Sequence, residues 1–134
     1  MSLKSFTIHP RKYEDVSIEP RYFKFKELIF TGTLLPNYPT TFTEIANLRA
    51  LADFLDTIRD ELGFAIFVNS AYRTFDVNCA VGGACRSLHM QGRAADIWPA
   101  YGKEEELIDI LRKHRTELAE FIVNRDKKYI HIAI

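Results

Sequence analysis

Ser87-Leu88-His89-Met90-Gln91-Gly92-Arg93-Ala94-Ala95-Asp96 is the stretch around which the rest of the chain is organised. It carries an imidazole and a carboxylate, both of which serve as zinc ligands at about 2 Å. Two donors on one tetrahedral ion stand only about 3 to 3.5 Å apart. A continuous helix would separate residues 89 and 96 by about 10 Å, and an extended strand by more than about 20 Å. A shared ion therefore requires the chain to turn back between them. Gly92 lies on that path, where a left-handed or cramped backbone costs glycine least. Ala94 and Ala95 permit a close return, and Ile97-Trp98 continue it as a buried strand end. The same two residues also fit a loop-capping histidine and an ordinary surface aspartate, so a third ligand has to decide.

Catalytic zinc sites usually take three protein ligands and leave a fourth position for water. Of the other histidines, His9 precedes a proline in an irregular segment, and His114 stands between Lys113 and Arg115 on the charged side of a helix. Both read as solvated. His131 lies in an alternating strand, where Ile130, Ile132 and Ile134 point one way and Tyr129, His131 and Ala133 the other. That puts an imidazole beside a small residue on a face that is not simply aliphatic; a hydrogen-bonded core histidine is the other reading.

With 134 residues the chain has room for one domain with its own core. Eighteen basic and eighteen acidic residues give a formal net charge of zero, which argues against a nucleic-acid partner or an anionic membrane surface. No apolar run approaches a membrane span, and the opening lacks a secretion-signal layout, so localisation stays open. Cys79 and Cys85 flank Val81-Gly82-Gly83 and are expected as two buried or half-buried thiols, with a small-loop disulfide as the alternative. A monomer is expected.

Residues 1–40 read as irregular, with 1–19 an N-terminal extension and 20–134 the domain. Tyr22, Phe23, Phe25, Leu28, Ile29 and Phe30 are too apolar for a free tail and predict a short element clamped onto the body. Pro36 and Pro39 bracket an exposed connector. Thr41-Phe42-Thr43-Glu44 is a capping box, and Ile45, Leu48, Leu51, Leu55, Ile58 and Leu62 recur at threes and fours until Gly63, which predicts a helix over 43–62. Phe64 to Val68 reads as a buried strand ending at Asn69-Ser70-Ala71-Tyr72-Arg73. A short helix near 76–80, a helix over 103–118 opened by Glu104, Glu105 and Glu106, and a closing hairpin with its turn at 124–127 complete the chain. The fold class is α+β: a small antiparallel sheet carrying Asp96 and His131, packed against helices.

The motif Ser87, His89, Gly92, Ala94, Asp96 resembles the S-x-H-x-x-G-x-A-x-D pattern of the zinc D-alanyl-D-alanine carboxypeptidases and phage endolysins, the hedgehog/DD-peptidase fold group. Ser70-Ala71-Tyr72-Arg73 is similar to its S-x-Y-R element, and Asn78 through Gly83 to the N-x-x-v-G-G segment of its smaller branch. Tyr129-Ile130-His131-Ile132 is similar to its closing strand. The resemblance implies zinc held by His89, Asp96 and His131, and Arg73 receiving a substrate carboxylate or peptide oxygen, a task suited to its planar fork. Ser87 and Gln91 would hydrogen-bond ligands or substrate. The implied activity is metal-assisted hydrolysis of peptides of bacterial peptidoglycan, as a carboxypeptidase or endopeptidase.

One position departs from the pattern. Many members carry a glutamate three residues before the last histidine, where this chain has Lys128. Others use a base five residues before it, which makes Asp126 the candidate base, against a plain turn aspartate; Glu120 and Asn124 lie further back on the same hairpin. The same fold group contains zinc modules that bind without cleaving, and a metal-free structural role for the motif is a third reading.

Overall fold

A computed structural model describes residues 21–134, so the expected extension over 1–19 and His9 lie outside the described residues. Helix α1 (Phe25–Leu28) is the expected clamped element, with Phe23, Phe25 and Leu28 buried. Asp56 fastens it. That carboxylate is buried and accepts hydrogen bonds from the backbone N–H groups of Arg21 (2.8 Å) and Tyr22 (3.0 Å). A buried carboxylate is tolerated only with such partners.

Helix α2 (Phe42–Leu62) starts where the capping box places it. The Thr41 hydroxyl oxygen accepts from Glu44 N at 3.1 Å, while the Glu44 carboxylate reaches back to Thr40 N at 2.9 Å. Gly63, at φ +79°, ends the helix. Its inner face, Leu48, Leu51, Leu55 and Ile58, is wholly inaccessible. Burying each such side chain contributes about 1.5 to 3 kcal/mol, so this one stripe carries much of the core.

The sheet consists of β1 (Ile66–Ser70), β2 (Ala94–Pro99), β3 (Glu120–Asn124) and β4 (Tyr129–Ala133) in the order β1-β2-β4-β3, all pairs antiparallel. Ile97, Ile130 and Ile132 are buried in the same core as the inner faces of α2 and of α4 (Glu104–Lys113). Asp96 and His131 belong to the two central strands and face each other in register.

The structure corrects several expectations. β1 begins two residues later than expected and is an edge strand, buried at Ile66 but open at Phe67, which is 57% exposed. A strand covered on one face needs alternation, not a continuous apolar run. Phe64 precedes it, with the Lys103 ammonium 4.7 Å from its ring centroid. The connector is not wholly exposed: Asn37 and Pro39 are buried. Asn37 donates to the carbonyls of Ile29 (2.9 Å) and Tyr72 (2.8 Å) and accepts from Thr74 N (2.9 Å), which ties the connector to the end of β1. Cys79 and Cys85 are both free and exposed: Cys79 lies on α3 (Phe75–Ala80) away from its buried residues Val77 and Asn78, and Cys85 lies in the loop that follows.

The helix expected over 103–118 ends at Lys113 and is followed by a single 3-10 turn, Arg115–Glu117. His114 sits at the break and is not simply solvated. Its Nε2 meets Glu61 of α2 at 2.6 Å, its Nδ1 meets Glu117 at 2.5 Å, and its ring stands edge-on to Phe54. The hydrogen bond to Glu117, followed by that to Glu61, raises its pKa above the ordinary value. A raised histidine pKa stabilises the fold fully below the unfolded value, near pH 6.5, and that contribution is lost as pH climbs through the folded value. The stability difference between wild type and His114→Gln, measured by urea unfolding, is therefore expected to be largest at pH 6 and to shrink toward pH 9. A difference independent of pH would show that the imidazole acts by packing alone.

Candidate metal centre

His89 is placed by a 3-10 turn, Leu88–Gln91, whose N-cap is Ser87. The Ser87 hydroxyl oxygen accepts from His89 N at 3.1 Å, and Asn47 of α2 donates to the Gln91 carbonyl at 2.8 Å. Both residues thus hold the ligand turn: Ser87 through its side chain, Gln91 through its backbone. Gly92 closes the turn at φ +75°, the reversal expected between His89 and Asp96. A Cβ there would also come within 2.8 Å of the Glu44 carbonyl oxygen and 3.0 Å of the Leu48 side chain. Glycine is required twice, by conformation and by contact with α2.

His89 is 3% exposed. Its Nδ1 lies 2.6 Å from the carbonyl oxygen of Ala71, which can only accept, so Nδ1 carries the proton and Nε2 presents its lone pair toward Asp96 Oδ1 at 3.3 Å. From the other side His131 brings Nδ1 to the same oxygen at 2.8 Å. The three donor atoms lie within 4.8 Å of one another. Two nitrogens and a carboxylate oxygen are a zinc donor set, and the two distances to Asp96 are near the roughly 3.3 Å edge of a zinc tetrahedron with 2 Å bonds. The residues fit a divalent ion.

Burial pushes the Asp96 carboxyl upward, yet the closeness of His131 and His89 outweighs it and holds the group well below the ordinary carboxylate range. His131 is raised, chiefly by its bond to Asp96, against burial, and further by Glu120. That second carboxylate, from the start of β3, lies 2.7 Å from His131 Nε2. Sequence reasoning named Glu120 only in passing, because its contact depends on the β3–β4 register.

Arg73 stands behind Asp96. Its Nη2 donates to Asp96 Oδ2 at 3.4 Å, its Nε to Ser70 Oγ at 3.0 Å and its Nη1 to Asn78 Oδ1 at 3.3 Å, while its backbone N–H donates to the His89 carbonyl at 3.0 Å. Burial lowers the pKa of the guanidinium and Asp96 opposes that shift. Asn78 is itself buried and donates to the Ala84 carbonyl at 2.9 Å. The N-x-x-v-G-G match contained it, without a role. On its other side Arg73 borders a cavity of about 120 Å³ lined also by Phe30, Thr31, Ser70, Val77 and Val81.

Asp126 is not brought to this cluster. It is exposed in the turn over 125–128, which begins beyond Tyr129, two residues or about 7 Å of strand from His131. No helix among the described residues is long and apolar enough to cross a membrane.

No curated protein gives a significant match to the chain. A family model described as Peptidase M15 matches residues 21–133, which includes every residue of the cluster. The chain belongs to the Peptidase M15 family, the zinc D-Ala-D-Ala carboxypeptidases.

Proposed function

We propose that the protein is a zinc peptidase that hydrolyses peptide bonds in the stem or cross-link peptides of peptidoglycan. The observation that carries this reading is the convergence of His89, Asp96 and His131, from three separate elements, on one point of the sheet. Zinc held there supplies Lewis acidity, which polarises a scissile carbonyl and makes water nucleophilic near neutral pH.

The chain's own residues do the rest. Asp96 offers Oδ1 toward the two imidazoles and Oδ2 to Arg73, so the carboxylate is held from both sides. Arg73, always charged and clamped on three sides, presents its remaining N–H groups as a preset receptor for a substrate carboxylate or peptide oxygen. The cavity beside it has room for a group of a few heavy atoms, which favours a small residue at the peptide end. Phe67 and Ile122 leave exposed apolar surface on the sheet alongside, where a peptide could lie.

The position of Asp126 in an exposed turn favours neither its use as base nor tight coupling to the site, and it supports a second reading, a zinc module that binds peptide without cleaving it. Digestion of peptidoglycan fragments followed by mass spectrometry decides. Zinc-loaded protein is expected to release amino acids or shorter peptides, chelator is expected to stop release, and Asp126→Asn is expected to retain activity within about threefold. Unchanged fragment masses with zinc-loaded protein would rule out the peptidase, and loss of activity in Asp126→Asn would restore that residue as the base.

A further inference from the structure

We propose that Glu120 is a positioning residue for the metal: it holds the His131 ring so that Nδ1, not Nε2, is the ligand atom. The proposal rests on the zinc reading above. In β3, Glu120 is paired in register with Ala133, and His131 with Ile122. Glu120 is therefore the diagonal neighbour of His131 on the same face, a separation a glutamate side chain spans. Its Oε1 meets Nε2 at 2.7 Å while Nδ1 meets Asp96 Oδ1 at 2.8 Å.

An ionised carboxylate only accepts hydrogen bonds, so Nε2 keeps its proton beside Glu120. Nδ1 faces a carboxylate as well, but Asp96 belongs to the same donor set, so a cation entering the site would take the place of the Nδ1 proton. The arrangement mirrors His89, where the Ala71 carbonyl ties up Nδ1 and frees Nε2. The two imidazoles thus enter the site through opposite nitrogens, each chosen by the acceptor behind it. Acceptors of this kind fix ring orientation and strengthen the donor atom.

Glu120 also lies outside the core. Its side chain is 44% exposed, whereas that of His131 is 15% exposed. Removing the carboxylate leaves the core untouched.

The test uses the full-length protein and zinc alone. Zinc affinity is measured by competition with a chromophoric chelator for wild type, Glu120→Ala and Glu120→Gln, and the metallated nitrogen of His131 is read from imidazole ¹⁵N shifts. Glu120→Ala is expected to bind zinc about 10- to 100-fold more weakly. Glu120→Gln is expected to recover most of that loss, since its amide oxygen accepts the same N–H. Metal-free melting temperatures should be close across the three. Equal affinity in wild type and Glu120→Ala, or His131 metallated through Nε2, would overturn the positioning role and leave the zinc site standing. Wild type that binds no zinc would overturn both.

Discussion

Asp96→Asn is expected to weaken zinc binding by more than about 100-fold and to abolish peptide hydrolysis, a larger loss than removal of a group behind a ligand produces. The carboxylate uses both oxygens: Oδ1 faces His89 and His131, and Oδ2 faces Arg73. An asparagine amide must turn its NH2 toward one side or the other. Toward Arg73 it opposes one donor with another; toward the imidazoles it removes the ligand oxygen. Either choice also leaves the half-buried guanidinium without a counter-charge, for which a stability loss of about 2 to 4 kcal/mol is expected in the metal-free protein. Equilibrium dialysis against zinc and urea unfolding of the apo form measure the two effects separately. Zinc binding at wild-type strength would show that Asp96 is not a ligand.

The second large effect belongs to Gly92→Ala. A left-handed conformation costs a residue with a side chain about 1 to 2 kcal/mol, and crowding a packed contact adds about 1 to 3. At Gly92 both apply, since the added Cβ would come within 2.8 Å of the Glu44 backbone oxygen. Gly63 provides the comparison: it has φ +79° and nothing within 4 Å of the same added atom. Gly63→Ala is expected to lose only the conformational part, and Gly92→Ala roughly twice as much, with a fall in zinc affinity because the turn carrying His89 would shift off α2. Equal losses at the two sites would show that the approach to α2 is not tight.

What could be read from residues alone follows from the range of each signal. The His89–Gly92–Asp96 reversal was legible because it is local: seven residues, one glycine, and a distance that only a turn satisfies. His131 was legible through period-two alternation, since Ile130 and Ile132 had to face the core and so turned the imidazole outward. Helix α2 declared both ends through Thr41 and Gly63. The misses are tertiary. Glu120 reaches His131 only through a diagonal of the β3–β4 register, and Asn37, Asp56 and Asn78 are polar residues whose burial depends on segments that arrive from elsewhere. Nothing near His114 announced that two glutamates, one from another helix, would hold both its nitrogens. The resemblance supplied the spacing for Asp126, and the turn expected at 124–127 is where that residue lies, in the turn over 125–128.

Strand β4 is the last element of the described chain, yet it lies between β2 and β3. A polypeptide still emerging from the ribosome consequently lacks both the final imidazole and the wedge that joins the two halves of the sheet. Assembly of the three-residue cluster is therefore tied to the insertion of β4, and a fragment ending before Tyr129 would hold His89 and Asp96 without their third partner.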